Sequence, residues 1–362
     1  MGIKVPFTAL DRQYATLRDE LREATDHVYS TGQMLDGMYT LEFENAIKER
    51  TDRKYAVAVN SCTNALLICY LHYAIPYPNR NVALPAYSFV ATGNAPRMIG
   101  WNTKFVDVDG NGMIDLSLLD AHRDKLDIIS YVNLYGNILD YDKLKIVASF
   151  FNDLVIIEDA AQSFGASYKG IPSGKLGDAS VLSFDPTKNL PNYGSGGMIL
   201  TDDRDLFTIA VNMRDNGKES RHSQLGINAK MSEADCAQML VKLKHFDKWQ
   251  ERRHKIAQFY TDCLHVYADF PAPNEGVVHA WHKYVIKTVD QYELRSYLNA
   301  NGIETKIHYD TPLPSMVSFM NVSGLFPQAD LLAQHSVSLP IYPEMTDLEV
   351  EHVVKTLQKF YD

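Results

Sequence analysis

Residues 154–188 read LVIIEDAAQSFGASYKGIPSGKLGDASVLSFDPTK. Two short apolar runs stand in this stretch, Leu154–Ile157 and Val181–Phe184. Ionisable residues follow each at once: Glu158 and Asp159 after the first, Asp185 and Lys188 after the second. Runs this short and this apolar read as strands covered on both faces. Further runs lie upstream at Ala56–Val59, Val82–Leu84, Phe105–Val108 and Ile128–Val132, separated by stretches of helical pattern. The alternation implies an α/β chain with a parallel sheet and crossover helices. Ligands of such sheets gather beyond the carboxyl ends of the strands. The chemistry is therefore sought in the residues that follow each run.

Three of those places combine. After Ala56–Val59 come Asn60, Ser61, Cys62, Thr63 and Asn64, then the helical run Ala65–Leu71. A strand that enters a helix through hydroxyl residues offers free N–H groups to a phosphate, although by itself it is an ordinary N-cap. Glu158 and Asp159 end a buried strand and face the cleft, yet alone they read equally well as turn residues. Lys188 follows another such strand, where burial is unfavourable unless something uses the amine; alone it is a snorkelling surface lysine. Together the three match what pyridoxal 5′-phosphate (PLP) requires: a Schiff-base lysine, a carboxylate for the pyridinium nitrogen and a phosphate cup. The carboxylate favours the protonated ring, and the released lysine amine can move protons.

Around this centre the chain is ordinary. Leu17, Leu21, Ala24 and Val28 predict a helix over 13–29. From Ser232 one long helical pattern runs to about Tyr260. A strand (Tyr284–Lys287), a helix (Gln291–Asn301), a strand (Glu304–Ile307) and a closing helix (Asp347–Phe360) follow. This places a large domain over 1–245 and a smaller α+β domain over 246–362. Asp107, Asp109, Asn111 and Asp115 imitate a calcium loop, but Leu118 stands where a glutamate is needed. His279 and His282 lack a carboxylate at metal spacing, so no metal is expected. Gly194–Gly197 lacks the ending of a nucleotide P-loop. Cysteines 62, 69, 236 and 263 form no CxxC pair. The net charge of −10 argues against nucleic acid as the main partner. No signal-like opening or membrane-length apolar stretch is visible, so a cytoplasmic protein is expected.

With those residues in hand, the sequence resembles the DegT-type sugar aminotransferases, fold-type I PLP enzymes. The resemblance runs through VPFTALDRQY, VNSCTNALLICY, LPAYSFVATGNA, FVDVD, NLYG, IEDAAQSFGASYKG, GDASVLSFDPTKNL, YGSGGMILTDD, INAKMSE, KIHYDTPLP and SLPIYPEMT. It implies that Lys188 is the Schiff-base lysine and Asp159 the pyridinium partner. It puts Gln162 beside the imine, Phe89 on the ring, and Cys62, Thr63 and Ser183 on the phosphate. It also implies that Asn228 reaches the phosphate of a second subunit, making a homodimer with shared sites. Gln33, Lys230, His308 and Tyr309 would meet the substrate. The reaction implied moves an amino group from an amino acid, L-glutamate by analogy, to a nucleotide-linked keto sugar. Amination at C3 is favoured, with C4 the alternative. A PLP-binding regulator without turnover and a nucleotide-sugar-binding protein without PLP are the readings from other classes. Cys62, Asn64, Asp185, Ser195 and Lys230 depart from the family's usual residues at their places.

Overall fold

The computed structural model describes residues 3–74, 80–122, 126–270, 272–319, 322 and 324–362. Its main sheet has seven strands: β1 (Tyr55–Val59), β2 (Asn81–Pro85), β3 (Asn102–Val106), β4 (Ile128–Val132), β5 (Val155–Asp159), β6 (Ala179–Ser183) and β7 (Gly197–Thr201). They lie side by side in the order β1-β7-β6-β5-β4-β2-β3. Each apolar run expected as a strand is one, within three residues at either end. β4, β6 and β7 are buried at every position, which is why β4 and β6 read as apolar runs rather than alternating ones. The sheet is mostly parallel. β7 alone runs against its neighbours β1 and β6, so its first residue, Gly197, sits between Val59 and Ser183 at their carboxyl ends. β5 pairs in parallel with β4 and β6, which sets Val132 beside Asp159 and Asp159 beside Val181.

The helix expected over 13–29 spans Leu10–Thr31 and buries Leu17, Leu21 and Val28. Gly32 ends it in the left-handed conformation, at φ 72°, with its N–H bonded to the Tyr29 carbonyl.

Two expectations fail for physical reasons. The single helix expected from Ser232 to Tyr260 is two helices, Glu233–Leu243 and Phe246–Leu264. The first sets Val241 against Leu17 and Leu21. The second turns Ile256, Ala257, Tyr260 and Leu264 into another core. One straight rod cannot face both, and no Pro or Gly marks the break. The strand expected over 304–307 is not formed. Its backbone is shared between two partners instead: the Glu304 N–H donates to the Val5 carbonyl at 2.9 Å, and Lys306 makes an isolated bridge to Ser338. The strand that does pair with β8 (Tyr284–Lys287) is β9 (Ser336–Leu339), antiparallel. Its two serines obscured it in the sequence.

The core around β8 and β9 takes in Val5 and Ala9 from the other end of the chain. The N-terminal segment thus lies across the C-terminal layer. No helix among the described residues is long and apolar enough to cross a membrane.

The misleading motifs are structural. Asp107 caps the helix Pro327–His335, accepting from the N–H groups of Gln328 and Ala329, each at 3.0 Å. Asp109 accepts from the N–H groups of Asn111 and Met113, each at 2.9 Å. His279 Nδ1 accepts from the Trp281 N–H at 2.8 Å, and His282 Nδ1 lies 3.2 Å from Asn189 Oδ1. Burial lowers the basicity of both rings, that of His279 to about 3.

Candidate active site

The carboxyl ends of β1, β5 and β6 meet the amino end of β7 along one rim. On that rim Ser61 caps the helix Cys62–Ala74, its Oγ accepting from the Asn64 N–H at 3.2 Å. Asn64 Nδ2 donates to Asn60 Oδ1 at 2.7 Å, so the unusual Asn64 tightens the same turn. The first N–H groups of a helix lack intrahelical acceptors, which leaves those of Cys62 and Thr63 for an anion. Gly197 passes directly beneath. A β-carbon there would stand 2.6 Å from the Cys62 nitrogen and 2.6 Å from the Ser61 carbonyl carbon. Only glycine lets β7 approach this turn so closely. The glycine cluster therefore belongs to the site, although its spacing matches no phosphate loop. Ser183, paired with Gly197 across the sheet, is 8% exposed.

Glu158 and Asp159 separate onto the two faces of β5. Asp159, 4% exposed, turns to the cleft. Its Oδ1 accepts from the Ala161 N–H at 3.1 Å and its Oδ2 from the Thr92 hydroxyl at 3.0 Å. Thr92 is held in turn by Ser88, 3.0 Å away. Burial raises the Asp159 carboxyl above the ordinary aspartate value; the Ala161 and Thr92 donors and the Lys188 charge oppose this. Thr92 escaped the sequence reading although it stands in the quoted AYSFVAT; its signal is the i, i+4 spacing from Ser88.

Lys188 lies beyond β6, where burial lowers the basicity of its amine against the pull of Cys62, Asp159 and Asp185. No described residue bonds its Nζ. Asp185, which the spacing left unexplained, accepts from the Thr187 N–H at 2.9 Å and hydroxyl at 2.7 Å, and so shapes the turn that carries Lys188.

Gln162 joins the sheet to the C-terminal layer. Its Oε1 accepts from the Tyr135 N–H at 3.0 Å, and its Nε2 donates to the Tyr309 hydroxyl at 3.1 Å. The Tyr87 hydroxyl accepts from the Tyr309 N–H at 2.6 Å and donates to the His308 carbonyl at 2.6 Å. The Tyr135 hydroxyl donates to that carbonyl as well. His308 Nδ1 lies 2.8 Å from Ser338 Oγ. Burial, with Lys283, Lys306 and Lys188 nearby, pushes its ring down to about 2. The Phe89 ring is 53% exposed and 6.0 Å from the Tyr309 ring. Neither Tyr87 nor Tyr135 was singled out in the sequence, although each stands three residues past an expected strand, at the end where ligands gather.

Of the remaining expected residues, Gln33 and Lys230 stand apart from this group, and Asn228 borders the Ser61 turn through its backbone. Gln33 is exposed and donates to the Leu35 carbonyl at 2.6 Å. Asn228 is exposed, its carbonyl accepting from Asn60 Nδ2 at 3.3 Å. The Lys230 ammonium rests on Asp215, with Asp36 at 3.9 Å.

A buried carboxylate without a cationic hydrogen-bond partner, a half-buried lysine with no hydrogen bond among the described residues and a glycine-floored helix start fit PLP. Comparison with known proteins agrees. Residues 15–358 match the model of the DegT/DnrJ/EryC1/StrS aminotransferase family. A Geobacillus stearothermophilus protein named "Pleiotropic regulatory protein" is 33% identical over 370 residues, covering 99% of each chain. The UDP-2-acetamido-2-deoxy-3-oxo-D-glucuronate aminotransferase of Pseudomonas aeruginosa is 29% identical over 358 residues, covering 98% of this chain and 99% of its own. The crystal structure of S. venezuelae DesV in complex with a ketimine intermediate superposes with a TM-score of 0.95 at 29% identity, over 99% of both chains. The chain belongs to the DegT/DnrJ/EryC1/StrS aminotransferase family, and pyridoxal 5′-phosphate is its cofactor.

Proposed function

We propose that the protein transfers an amino group from an amino acid, L-glutamate, to a keto-deoxyhexose linked to a nucleoside diphosphate. The observation that carries this reading is Asp159, buried at the end of β5, with Lys188 half-buried in the turn beyond the adjacent parallel strand β6, beside the glycine-floored turn at Ser61–Thr63. When bound, PLP supplies an electron sink for the carbanion at the donor's α-carbon.

The protein's own residues do the rest. Asp159, whose carboxyl burial raises while Thr92 and the Ala161 N–H lower it, holds the proton on the ring nitrogen. Lys188, whose basicity burial lowers, binds the cofactor and carries the proton off and back. Cys62, Thr63 and Ser183 hold the phosphate, Phe89 covers the ring, and Gln162 orients its oxygen side. Asn228, on the surface of its own chain, completes the phosphate site of a second copy in a homodimer. Gln33, His308, Tyr309 and Lys230 contact the sugar nucleotide; Lys230 does so only if Asp215 releases it. C3 of a 3-keto sugar is the favoured position, in line with the 3-oxo sugar in the name of the Pseudomonas relative. C4 is the alternative.

A panel of 3-keto and 4-keto nucleotide sugars, offered with L-glutamate, tests the reading. The expected product is a 3-amino sugar, with 2-oxoglutarate formed in equal amount. A 4-amino product would move the position. Cofactor absorbance that no amino acid alters would favour a regulator, as the name of the Geobacillus relative suggests.

A further inference from the structure

Lys283 lies immediately before β8 and is 6% exposed. Its backbone is fixed: the Lys283 N–H donates to the Tyr135 carbonyl at 3.1 Å, and Tyr135 is the residue whose own N–H reaches Gln162. Its side chain lines the same cavity as Lys188 and Arg253. The ammonium stands 5.0 Å from the Phe7 ring centroid, with that of Lys306 at 5.2 Å from the same ring. No described residue accepts a hydrogen bond from it.

A buried ammonium is unfavourable without a counter-charge, and the acids nearby are otherwise engaged. Asp185 is committed to Thr187, Glu304 Oε2 accepts from the Phe7 N–H at 3.0 Å, and Glu344 Oε1 accepts from Gln13 at 3.0 Å. Arg253 adds positive charge behind the lysine. Among the described residues its guanidinium reaches only the carbonyls of Trp281 and Ile341, and its Nε has no partner. Burial and the neighbouring cations Lys188, Arg253 and Lys306 depress the basicity of Lys283, with Asp185 opposing them. Cationic side chains thus outnumber the acids around the cavity that Lys283 shares with the reacting lysine.

We propose that Lys283, with Lys306 and Arg253 behind it, binds a carboxylate of a reactant next to Lys188. The proposal rests on the transaminase reading above. Besides the diphosphate on C1, the anions that such a reaction brings are carboxylates. They are those of the amino donor or the C6 carboxylate of a uronic sugar. The neutral UDP-linked keto-hexose carries the same diphosphate and is the control for it.

The test uses the PLP-loaded wild type, Lys283→Met and Lys283→Arg. The apparent Kd of L-glutamate, L-alanine, a UDP-linked keto-uronate and the matching neutral UDP-linked keto-hexose is measured in separate half-reactions. In Lys283→Met the carboxylate-bearing ligands of one half-reaction weaken by about tenfold to a hundredfold relative to the neutral hexose, the size of a charge-assisted hydrogen bond. Lys283→Arg restores part of that loss. Weakening of both amino acids points to the α-carboxylate, of glutamate alone to its side chain, and of the uronate alone to C6. Equal weakening of all four ligands, or none, overturns the proposal. If the variants do not fold, the wild type decides. The proposal is overturned if removing the carboxylate from every ligand changes Kd by less than about threefold. A wild type that forms no Schiff base would bring down the transaminase reading itself, and this proposal with it.

Discussion

Glu158 and Asp159 are one peptide apart, both buried, and lie on opposite faces of β5. Glu158 is saturated. It accepts from Asn133 Nδ2 at 2.9 Å, the Ser173 hydroxyl at 3.0 Å and the Ser180 hydroxyl at 2.7 Å, and from the N–H groups of Gly174 and Leu176 at 3.1 and 2.9 Å. Asp159 has two donors, and burial raises its carboxyl. A buried carboxylate whose lone pairs are all used holds the fold together. One left short of partners is reserved for a ligand. The same distinction divides the lysines. Lys242 donates to the Pro191 carbonyl at 2.6 Å and lies 3.4 Å from the Tyr193 ring centroid, whereas Lys188 and Lys283 have no such acceptor among the described residues.

The contrast can be broken in either direction. Asp159→Asn should lower kcat by on the order of a hundredfold to a thousandfold, the loss that follows removal of one preorganised electrostatic partner. Its urea midpoint should hold or rise, since a buried charge is removed. Glu158→Gln should do the reverse, lowering stability by about 3 kcal/mol because its amide faces donors rather than acceptors. Its loaded enzyme should turn over at a near-normal rate. If both variants lose activity alone, or stability alone, the division between the two faces is wrong.

Gly197→Ala sharpens the picture of the phosphate turn. The added carbon meets backbone at 2.6 Å, so a loss of about 1–3 kcal/mol in stability is expected, with weaker PLP retention by equilibrium dialysis. Wild-type retention would contradict the placement of the cofactor over that turn. The smallest effect belongs to Thr92→Val. Thr92 lowers the Asp159 carboxyl, and Asp159 must be ionised to act. Losing the hydroxyl raises that carboxyl further, so activity should fail at a higher pH on the acid side, by less than about one unit. An acid limb that stays put, or moves down, would remove Thr92 from the account.

Much of the molecule is legible in its sequence, and the boundary has a physical cause. Strands buried on both faces declare themselves as apolar runs, so β5 and β6, and with them Asp159 and Lys188, stand out from the residues alone. Which of two adjacent carboxylates turns to the cleft does not, because side chains alternate from face to face and the run does not say which face is open. Tyr87, Tyr135 and Thr92 act through partners far along the chain. Lys283 is hidden in HAWHKYVIK behind a histidine pair that the fold uses for packing. The break near His245 and the lone bridge at Lys306 follow from the competing demands of two cores, to which local periodicity is blind.

The central claim is that Lys188 carries the cofactor. Borohydride reduction of PLP-loaded protein, followed by digestion and mass spectrometry, tests it most directly. The account predicts one phosphopyridoxyl adduct, on the peptide containing Lys188, and none in Lys188→Ala. An adduct on Lys283 or another lysine, or none in the wild type, would contradict it.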